Sequence, residues 1–238
     1  MFFGYNIKYL FHKVVFRTFK GANCSIGKDC DIRRSRILVS CGANLHIGNN
    51  VVIHNAEIYV EKGSLILEDF CIIGDPYTQT KIIINDGDVA LLHHCKLSCN
   101  RVWVRFGGML TVGSYTNVNR GGEIRCDDNI AIGDYNQISY NVKIWDTNTH
   151  NMLIKEKRRE VAERYFPYFG YEESRPDTSP VVIGNDCWIG ESSAILKGSS
   201  IGNNVIVGFR TTIAGKTIDD SNIVVQDLKI KQIESKRE

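Results

Sequence analysis

The side chains best suited to chemistry are a histidine and an aspartate four residues apart. They belong to the segment IWDTNTH, residues 144–150, which contains Asp146 and His150. A histidine titrates near neutrality, so it can take a proton from a hydroxyl or an amine that attacks an electrophile. Asp146 would orient the imidazole ring or hold a substrate, although a backbone carbonyl could orient the ring equally well. His150 is therefore the candidate general base.

A metal site is the other chemistry that the histidines suggest. His93 and His94 are followed by Cys95 and Cys99, and all four are residue types that bind zinc. However, adjacent residues of a strand point to opposite faces, and Cys95 falls in a corner position of the repeat described below. We therefore expect no metal site here.

Composition restricts the classes of function. The chain has 238 residues, enough for one main domain with a sizeable core, and 29 Lys and Arg against 27 Asp and Glu. Apart from a cluster at 155–159 the basic residues are scattered, so we expect no nucleic-acid partner. No apolar run approaches the roughly 18–20 residues of a membrane span, and charges interrupt the start of the chain, so no signal peptide is expected. The eight cysteines are then free thiols of a reducing, cytoplasmic compartment.

A six-residue repeat organises the second half of the chain. The hexapeptides IGNDCW, IGESSA, ILKGSS, IGNNVI, VGFRTT and IAGKTI follow one another, which puts an aliphatic residue at 183, 189, 195, 201, 207 and 213. This pattern predicts a triangular parallel coil with inward aliphatic residues and small residues at its corners. Looser copies precede it, at Ile26, Ile47, Leu67, Leu91, Val112 and Ile132. Cys30, Cys71, Cys95 and Cys187 each follow a leading aliphatic residue by four positions, which predicts a packing role at a corner.

The repeat is interrupted between His150 and Ile183. Residues 151–182 are rich in charge and aromatic residues and contain three of the four prolines. We predict a loop excursion over 150–180 with a short helix near 155–163. It would either cover a substrate or simply pack on the coil. Because His150 stands where the coil is interrupted, its imidazole need not be buried.

The two ends of the chain depart from the repeat. Phe3, Ile7, Leu10, Phe11 and Val14 recur at helical spacing, so we predict an amphipathic helix over residues 2–20, in an N-terminal unit 1–22. This helix would pack on the coil or a neighbouring subunit, or lie on a membrane surface as a peripheral anchor. Residues 219–238 are predicted to cap the coil as a terminal strand or short helix.

Two stretches resemble the hexapeptide-repeat O-acetyltransferases that act on sugars and polysaccharides. The first, within residues 180–213, reads VVIGNDCWIGESSAILKGSSIGNNVIVG, and the second is IWDTNTH. The resemblance implies an all-β, left-handed parallel β-helix over residues 23–218 and a homotrimer with active sites between neighbouring coils. It also implies direct transfer of the acetyl group of acetyl-coenzyme A to a sugar hydroxyl, with His150 as the base.

The resemblance also implies positions for the two substrates. Asn119, in VNRGG, matches a family asparagine near the acceptor hydroxyl, although asparagine also commonly fills corners by bonding to backbone. Trp188 matches a family tryptophan beside the acceptor or the pantetheine. The implied contacts with acetyl-coenzyme A are Trp188, Gly190, Gly208, Arg210 and Lys216, the last two as partners for phosphates. Phe209 and Arg210 depart from the small residues that the family has after the closing glycine.

Two other functions remain open at this stage. An amino-sugar N-acetyltransferase would use the same base, because its acceptor amine must also lose a proton. A coil without catalytic activity that only binds partners is the alternative outside enzymes. A γ-type carbonic anhydrase is not expected, because no two histidines are separated by four residues as its zinc site requires.

Overall fold

The structure is a computed structural model that describes residues 13–150, 154–167 and 174–227. Within these ranges the chain forms 27 short strands and one helix. The strands pair in parallel into three sheets of nine, and consecutive strands along the chain belong to the three sheets in turn. The chain therefore coils as a triangular parallel solenoid, as the repeat predicted. The left hand of the coil stays a prediction.

Each sheet forms one side of the solenoid. Sheet A contains β1 (Val15–Thr18), β4 (Arg36–Val39), β7 (Ala56–Val60), β10 (Thr80–Ile84), β13 (Arg101–Val104), β16 (Glu123–Cys126), β19 (Lys143–Trp145), β22 (Ala194–Leu196) and β25 (Thr212–Ala214). Sheet B contains β2 (Asn23–Ile26), β5 (Asn44–Ile47), β8 (Gly63–Leu67), β11 (Gly87–Leu91), β14 (Gly108–Val112), β17 (Asn129–Ile132), β20 (Val181–Ile183), β23 (Ser200–Ile201) and β26 (Thr217–Ile218). Sheet C contains β3 (Asp31–Arg33), β6 (Val52–His54), β9 (Ile72–Gly74), β12 (Lys96–Leu97), β15 (Asn117–Val118), β18 (Gln137–Ile138), β21 (Trp188–Ile189), β24 (Ile206–Val207) and β27 (Ile223–Val224).

The core is a set of aliphatic columns that run along the solenoid axis. Ile132 pairs with Ile183, and Ile183 pairs with Ile201, so leading residues of successive coils lie directly above one another. All six aliphatic positions predicted between 183 and 213 are buried. They belong to one hydrophobic cluster that extends through the stack. The predicted six-residue register is therefore confirmed.

The corner between sheets B and C, called the B/C corner below, explains the cysteines. Each turn here has four residues, and the fourth points into the coil. Cys30, Cys71, Cys95 and Cys187 occupy this position, are buried, and donate their thiols to carbonyls of the next coil at 2.9–3.1 Å. Burial raises the pKa of the Cys71 thiol to about 11 and that of Cys95 to about 12. The predicted packing role is confirmed, and these thiols are poor nucleophiles.

The N-terminal prediction was wrong where the structure describes it. Val15–Thr18 form strand β1, which pairs in parallel with Arg36–Val39 instead of continuing a helix. Val14 and Phe16 alternate toward the core, and both pack against it. The strand hydrogen bonds offered by the open edge of the next coil outweigh the helical spacing of the apolar residues. The rest of the predicted helix, residues 2–12, lies outside the described residues.

Two further boundaries differ from the predicted ones. Because β19 ends at Trp145 and β20 begins at Val181, the excursion spans residues 146–180, and it contains the predicted helix as α1 (Lys155–Arg164). The terminal strand predicted for residues 219–238 is present as β27, but it pairs with β24 and so extends the solenoid past residue 218. Residues 228–238 lie outside the described ranges. The one helix in the described residues, α1, is neither long nor apolar enough to cross a membrane.

Asn136 provides a test of how the coils are held together. Its side chain is fully buried, donates to the carbonyls of Gly133 and Gly184 at 2.8 Å, and accepts from the Cys187 N–H at 2.8 Å. Asn136→Ala leaves these groups unpaired, so we expect the free energy of unfolding to fall by about 2–4 kcal/mol. Urea unfolding followed by circular dichroism measures this. Asn49→Ala, which removes exposed side-chain bonds to the Lys28 N–H and the Asp69 carboxylate, should cost less than about 1 kcal/mol, and equal losses would contradict the account.

Candidate functional site

The excursion leaves and re-enters the coil through a narrow root. Thr147 and Thr178 form an antiparallel bridge, the Ser179 N–H donates to the Asp146 carbonyl at 2.9 Å, and the Asn148 N–H donates to the Asp177 carbonyl at 3.0 Å. The two limbs therefore lie side by side before they diverge. This root sits at the corner between sheets A and B, called the A/B corner.

Asp146 joins the root to the preceding coil. It is fully buried, and its two carboxylate oxygens accept from the N–H groups of Asp127 at 2.8 Å and Asp128 at 2.9 Å. Burial raises the pKa of this carboxyl to about 6, and the two backbone bonds oppose that shift. Asp146 thus has a positioning role at the root. Its predicted action on the imidazole or on the acceptor stays a prediction.

The same turn of the preceding coil holds the return limb. Asp127 accepts a bidentate pair from Arg105, at 2.9 and 2.7 Å, in a nearly fully buried contact. Its neighbour Asp128 pairs with Arg175 at 2.7 Å and accepts from the Thr178 hydroxyl at 3.0 Å. Charge-assisted bonds therefore fix both limbs to the coil. The root is a rigid base for whatever the excursion carries.

His150 lies just beyond this root, as the sequence predicted for a residue at the interruption. The preceding Thr149 has a left-handed backbone, with φ of 65°, and its N–H donates to the Thr147 hydroxyl at 3.0 Å. This local turn ends the ladder and leaves the His150 side chain half-buried. The imidazole is thus held close to the coil while remaining reachable from solvent.

Sequence reasoning missed an aromatic and cationic column beside the root. Trp103, Arg125 and Trp145 face outward in register on sheet A, and the Arg125 guanidinium lies 5.7 and 4.6 Å from the two indole rings. The Trp145 indole N–H is buried and has no hydrogen-bond partner among the described residues. The intervals of 22 and 20 residues between these three match the coil length, which was the signal available in the sequence.

The other predicted residues lie mainly on a different part of the solenoid. Asn119, Gly190 and Gly208 each begin a turn between sheets C and A, called the C/A corner. The backbone N–H of each donates to a carbonyl of the next coil, so the three residues belong to one column. The Asn119 amide donates to the Ile138 carbonyl at 3.3 Å, so it contributes to packing of the corner. A Cβ on Gly190 would lie 2.6 Å from the Val207 carbonyl oxygen, so stacking alone requires glycine there.

The C-terminal coils expose aromatic and cationic side chains close to this column. Trp188 faces outward from sheet C and is 56% exposed, and Phe209 is 62% exposed. The Arg210 guanidinium lies 5.0 Å from the Phe209 ring centroid. Lys216 is also exposed, but it follows β25 at the A/B corner. Within the described ranges, no three metal-binding side chains cluster together.

One chain therefore holds the predicted residues in two groups. His150, Asp146 and Lys216 belong to the A/B corner, whereas Asn119, Gly190, Gly208 and Arg210 belong to the C/A corner and Trp188 to the adjacent side. Five residues, of which the middle three form β25 (Thr212–Ala214), separate Arg210 from Lys216 at the opposite corner, a span of about 15 Å at ordinary strand rise.

The raised pKa of Asp146 predicts a specific dependence of stability on pH. Since the folded chain holds this proton more tightly than the unfolded chain, unfolding the wild type becomes easier as pH rises from about 4 to about 6. Relative to Asp146→Asn, the wild type should lose up to about 3 kcal/mol over that window. Urea unfolding of both proteins at several pH values measures the difference between their free energies of unfolding. The amide that Asp146→Asn introduces does not titrate, so it shifts this difference by the same amount at every pH. A flat difference, or one of opposite sign, would contradict the burial of this carboxyl.

Comparison with known proteins agrees with the repeat. The profile of the bacterial transferase hexapeptide family (six repeats) matches residues 180–215. Among solved structures, the polysialic acid O-acetyltransferase OatWY is 16% identical, with 93% of this chain and 95% of that chain covered and a TM-score of 0.56. The polySia-specific acetyltransferase NeuO is 18% identical, with coverage of 94% and 90% and a TM-score of 0.36. No curated protein matches the chain. The first structure shows that the fold is shared along nearly the whole chain, and the match over residues 180–215 is to a hexapeptide-repeat transferase family, as their pattern predicted.

Proposed function

We propose that this protein is an acetyl-coenzyme A-dependent O-acetyltransferase that acts on a sugar or polysaccharide hydroxyl, with His150 as the general base. The observation that carries the proposal is the root of the excursion. Among the described strands, a long excursion interrupts the coil once. Directly before His150, the buried Asp146 carboxylate holds the outgoing limb, and two charge-assisted contacts of Asp128 hold the return limb. The adjoining segment has the repeat of a transferase family.

The chemistry requires one proton acceptor. The acceptor hydroxyl oxygen attacks the carbonyl carbon of the acetyl thioester while His150 takes the hydroxyl proton. When the carbon–sulfur bond breaks, the imidazolium returns that proton to the departing thiolate. Transfer is direct, without an acyl-enzyme, and general-base catalysis of this kind contributes about 10² to 10⁴ in rate.

The exposed groups of the C-terminal coils fit the donor. Coenzyme A combines an aromatic base, phosphates and a slender pantetheine arm. Phe209 offers a ring for the base, Arg210 and Lys216 offer charge-assisted donors for phosphates, and Trp188 offers an apolar surface for the arm. The backbones of Gly190 and Gly208 lie beside these groups, in the column of the C/A corner. These contacts are proposed together with the thioester chemistry.

The division of the site between two corners supports an oligomer. A homotrimer of the kind that the resemblance implies would place the A/B corner of one copy against the C/A corner of its neighbour. Cyclic assemblies repeat such a contact at every interface. His150 of one copy would then meet the donor held by the next copy.

The acceptor class follows from the same comparison. One solved structure that shares the fold is a polysialic acid O-acetyltransferase, which makes sugar polymers the first acceptors to test. All eight cysteines are free thiols, which fits the reducing cytoplasm, where acetyl-coenzyme A would meet its acceptor.

Replacing the base tests the proposal. With acetyl-coenzyme A and a panel of sugars, oligosaccharides and polysaccharides, we expect thiol release that depends on the acceptor. His150→Ala should lower kcat by about 10² to 10⁴ because proton removal loses its base. The matched control is His46→Ala, a histidine bonded to Ser25 near the other end of the solenoid, which should retain activity.

Full activity of the His150→Ala protein would show that another group is the base. Acetylation of amino sugars alone would favour the N-acetyltransferase. No thiol release with any acceptor would favour a coil that only binds partners.

A further inference from the structure

Four aromatic side chains stack along the B/C corner. Phe70, His94, Tyr115 and Tyr135 occupy the third position of four successive turns, and their ring centroids are 4.7, 4.7 and 5.1 Å apart. Their planes lie within 18° of parallel. His93 adds an edge contact to His94 and Tyr115. The four stacked residues are called the aromatic ladder below.

The local backbone disfavours aromatic residues at these positions. All four have φ between 55° and 63°, in the left-handed region, where a side chain crowds the following carbonyl. In the other coils the same position holds Asp29, Asn50, Asp186, Asn204 and Ser221, all small polar residues, and asparagine and aspartate are the types that this region favours. Departures from a local preference that recur in one place mark functional surfaces.

The aromatic ladder is exposed over its whole length. Phe70 is 46%, Tyr115 42% and Tyr135 55% exposed. Centroids nearly 5 Å apart exceed the roughly 3.5–4 Å contact distance of carbon atoms, so the rings are offset like shingles and part of each face is open. The column therefore presents apolar faces, with phenol hydroxyls on Tyr115 and Tyr135.

The charges around the aromatic ladder select the partner. The four turns that carry it, residues 68–71, 92–95, 113–116 and 133–136, contain Glu68, Asp69 and Asp134 but no lysine or arginine. A polyanion would be repelled here, and so would the same corner of a second copy. An uncharged sugar would not be repelled, because its C–H faces pack on aromatic rings and its hydroxyls bond to carboxylates and phenols.

We propose that the aromatic ladder is a docking surface for an uncharged polysaccharide chain, away from the reaction centre. The inference rests on the proposed function, since the docked polymer would be the acceptor. Tyr115 precedes Asn119 by four residues, so one short side of the coil, about 13 Å, separates the aromatic ladder from the column that holds the predicted acceptor residue. A polymer crossing that side would reach both.

Binding measured without acetyl-coenzyme A tests this inference independently of catalysis. The probes are hydroxyethyl cellulose, laminarin and galactomannan as neutral polymers, and polysialic acid as an anionic one, each cast into native gels. The variant is Tyr115→Asn with Tyr135→Asn, which introduces the residue that Asn50 and Asn204 provide at equivalent turns, so folding should be preserved. Asn50→Asp is the matched control at the same position of a coil outside the aromatic ladder.

We expect at least one neutral polymer to retard the wild type and the control, with affinity about tenfold lower in the double variant. No retardation by any neutral polymer, equal retardation of the double variant, or stronger retardation by polysialic acid would overturn the proposal. The remaining alternative is that the aromatic ladder forms contacts between copies of the chain. Sedimentation of the wild type and the double variant tests it, because a lower assembly mass for the double variant would support such contacts and overturn the proposal. Acetyl transfer to a monosaccharide, measured separately, reports on the proposed function alone.

Discussion

Everything in this structure depends on the stacking of each coil on the one before it in exact register. An inward aliphatic residue such as Ile183 must lie between Ile132 and Ile201, because the backbone of every side pairs in parallel with both neighbours. The register has a consequence outside the core. It turns residues about 20 positions apart into direct neighbours, so the surface consists of columns. The Trp103, Arg125 and Trp145 column, the aromatic ladder and the C/A corner are all products of that constraint.

The interruption after β19 obeys the same rule. A coil can be opened only if its two ends return to the positions that the next coil requires, and a short ladder between residues 146–148 and 177–179 holds them there. A buried carboxylate is costly unless it is hydrogen-bonded, and Asp146 receives two backbone N–H groups. The excursion can therefore vary in its outer part without disturbing the stack. This explains why a catalytic side chain would be placed directly beyond the root.

Much of the fold could be predicted from the sequence, because inward positions repeat. The hexad from Ile183, the corner cysteines and the helix after Lys155 all follow from spacing and residue type. The first strand could not be predicted, because Phe3 to Val14 have helical spacing and the competing hydrogen bonds come from β4, which a local pattern does not contain. The site was predicted as a set of residues but not as two groups. Which corner a residue occupies depends on the lengths of all the preceding coils, which vary between 20 and 24 residues from Ile26 to Ile132 and reach 51 residues in the coil that carries the excursion.

The central claim is that the A/B corner of one copy and the C/A corner of the next copy together form the active site. Co-expression of His150→Ala with Arg210→Glu, assayed as thiol release at low acetyl-coenzyme A, tests it most directly. Random assembly gives one interface in four with both groups intact, so the mixture should recover about a quarter of wild-type activity although each variant alone is nearly inactive. A mixture that remains as inactive as its separate components, in assemblies shown to contain both chains, would contradict the claim and place the whole site within one chain.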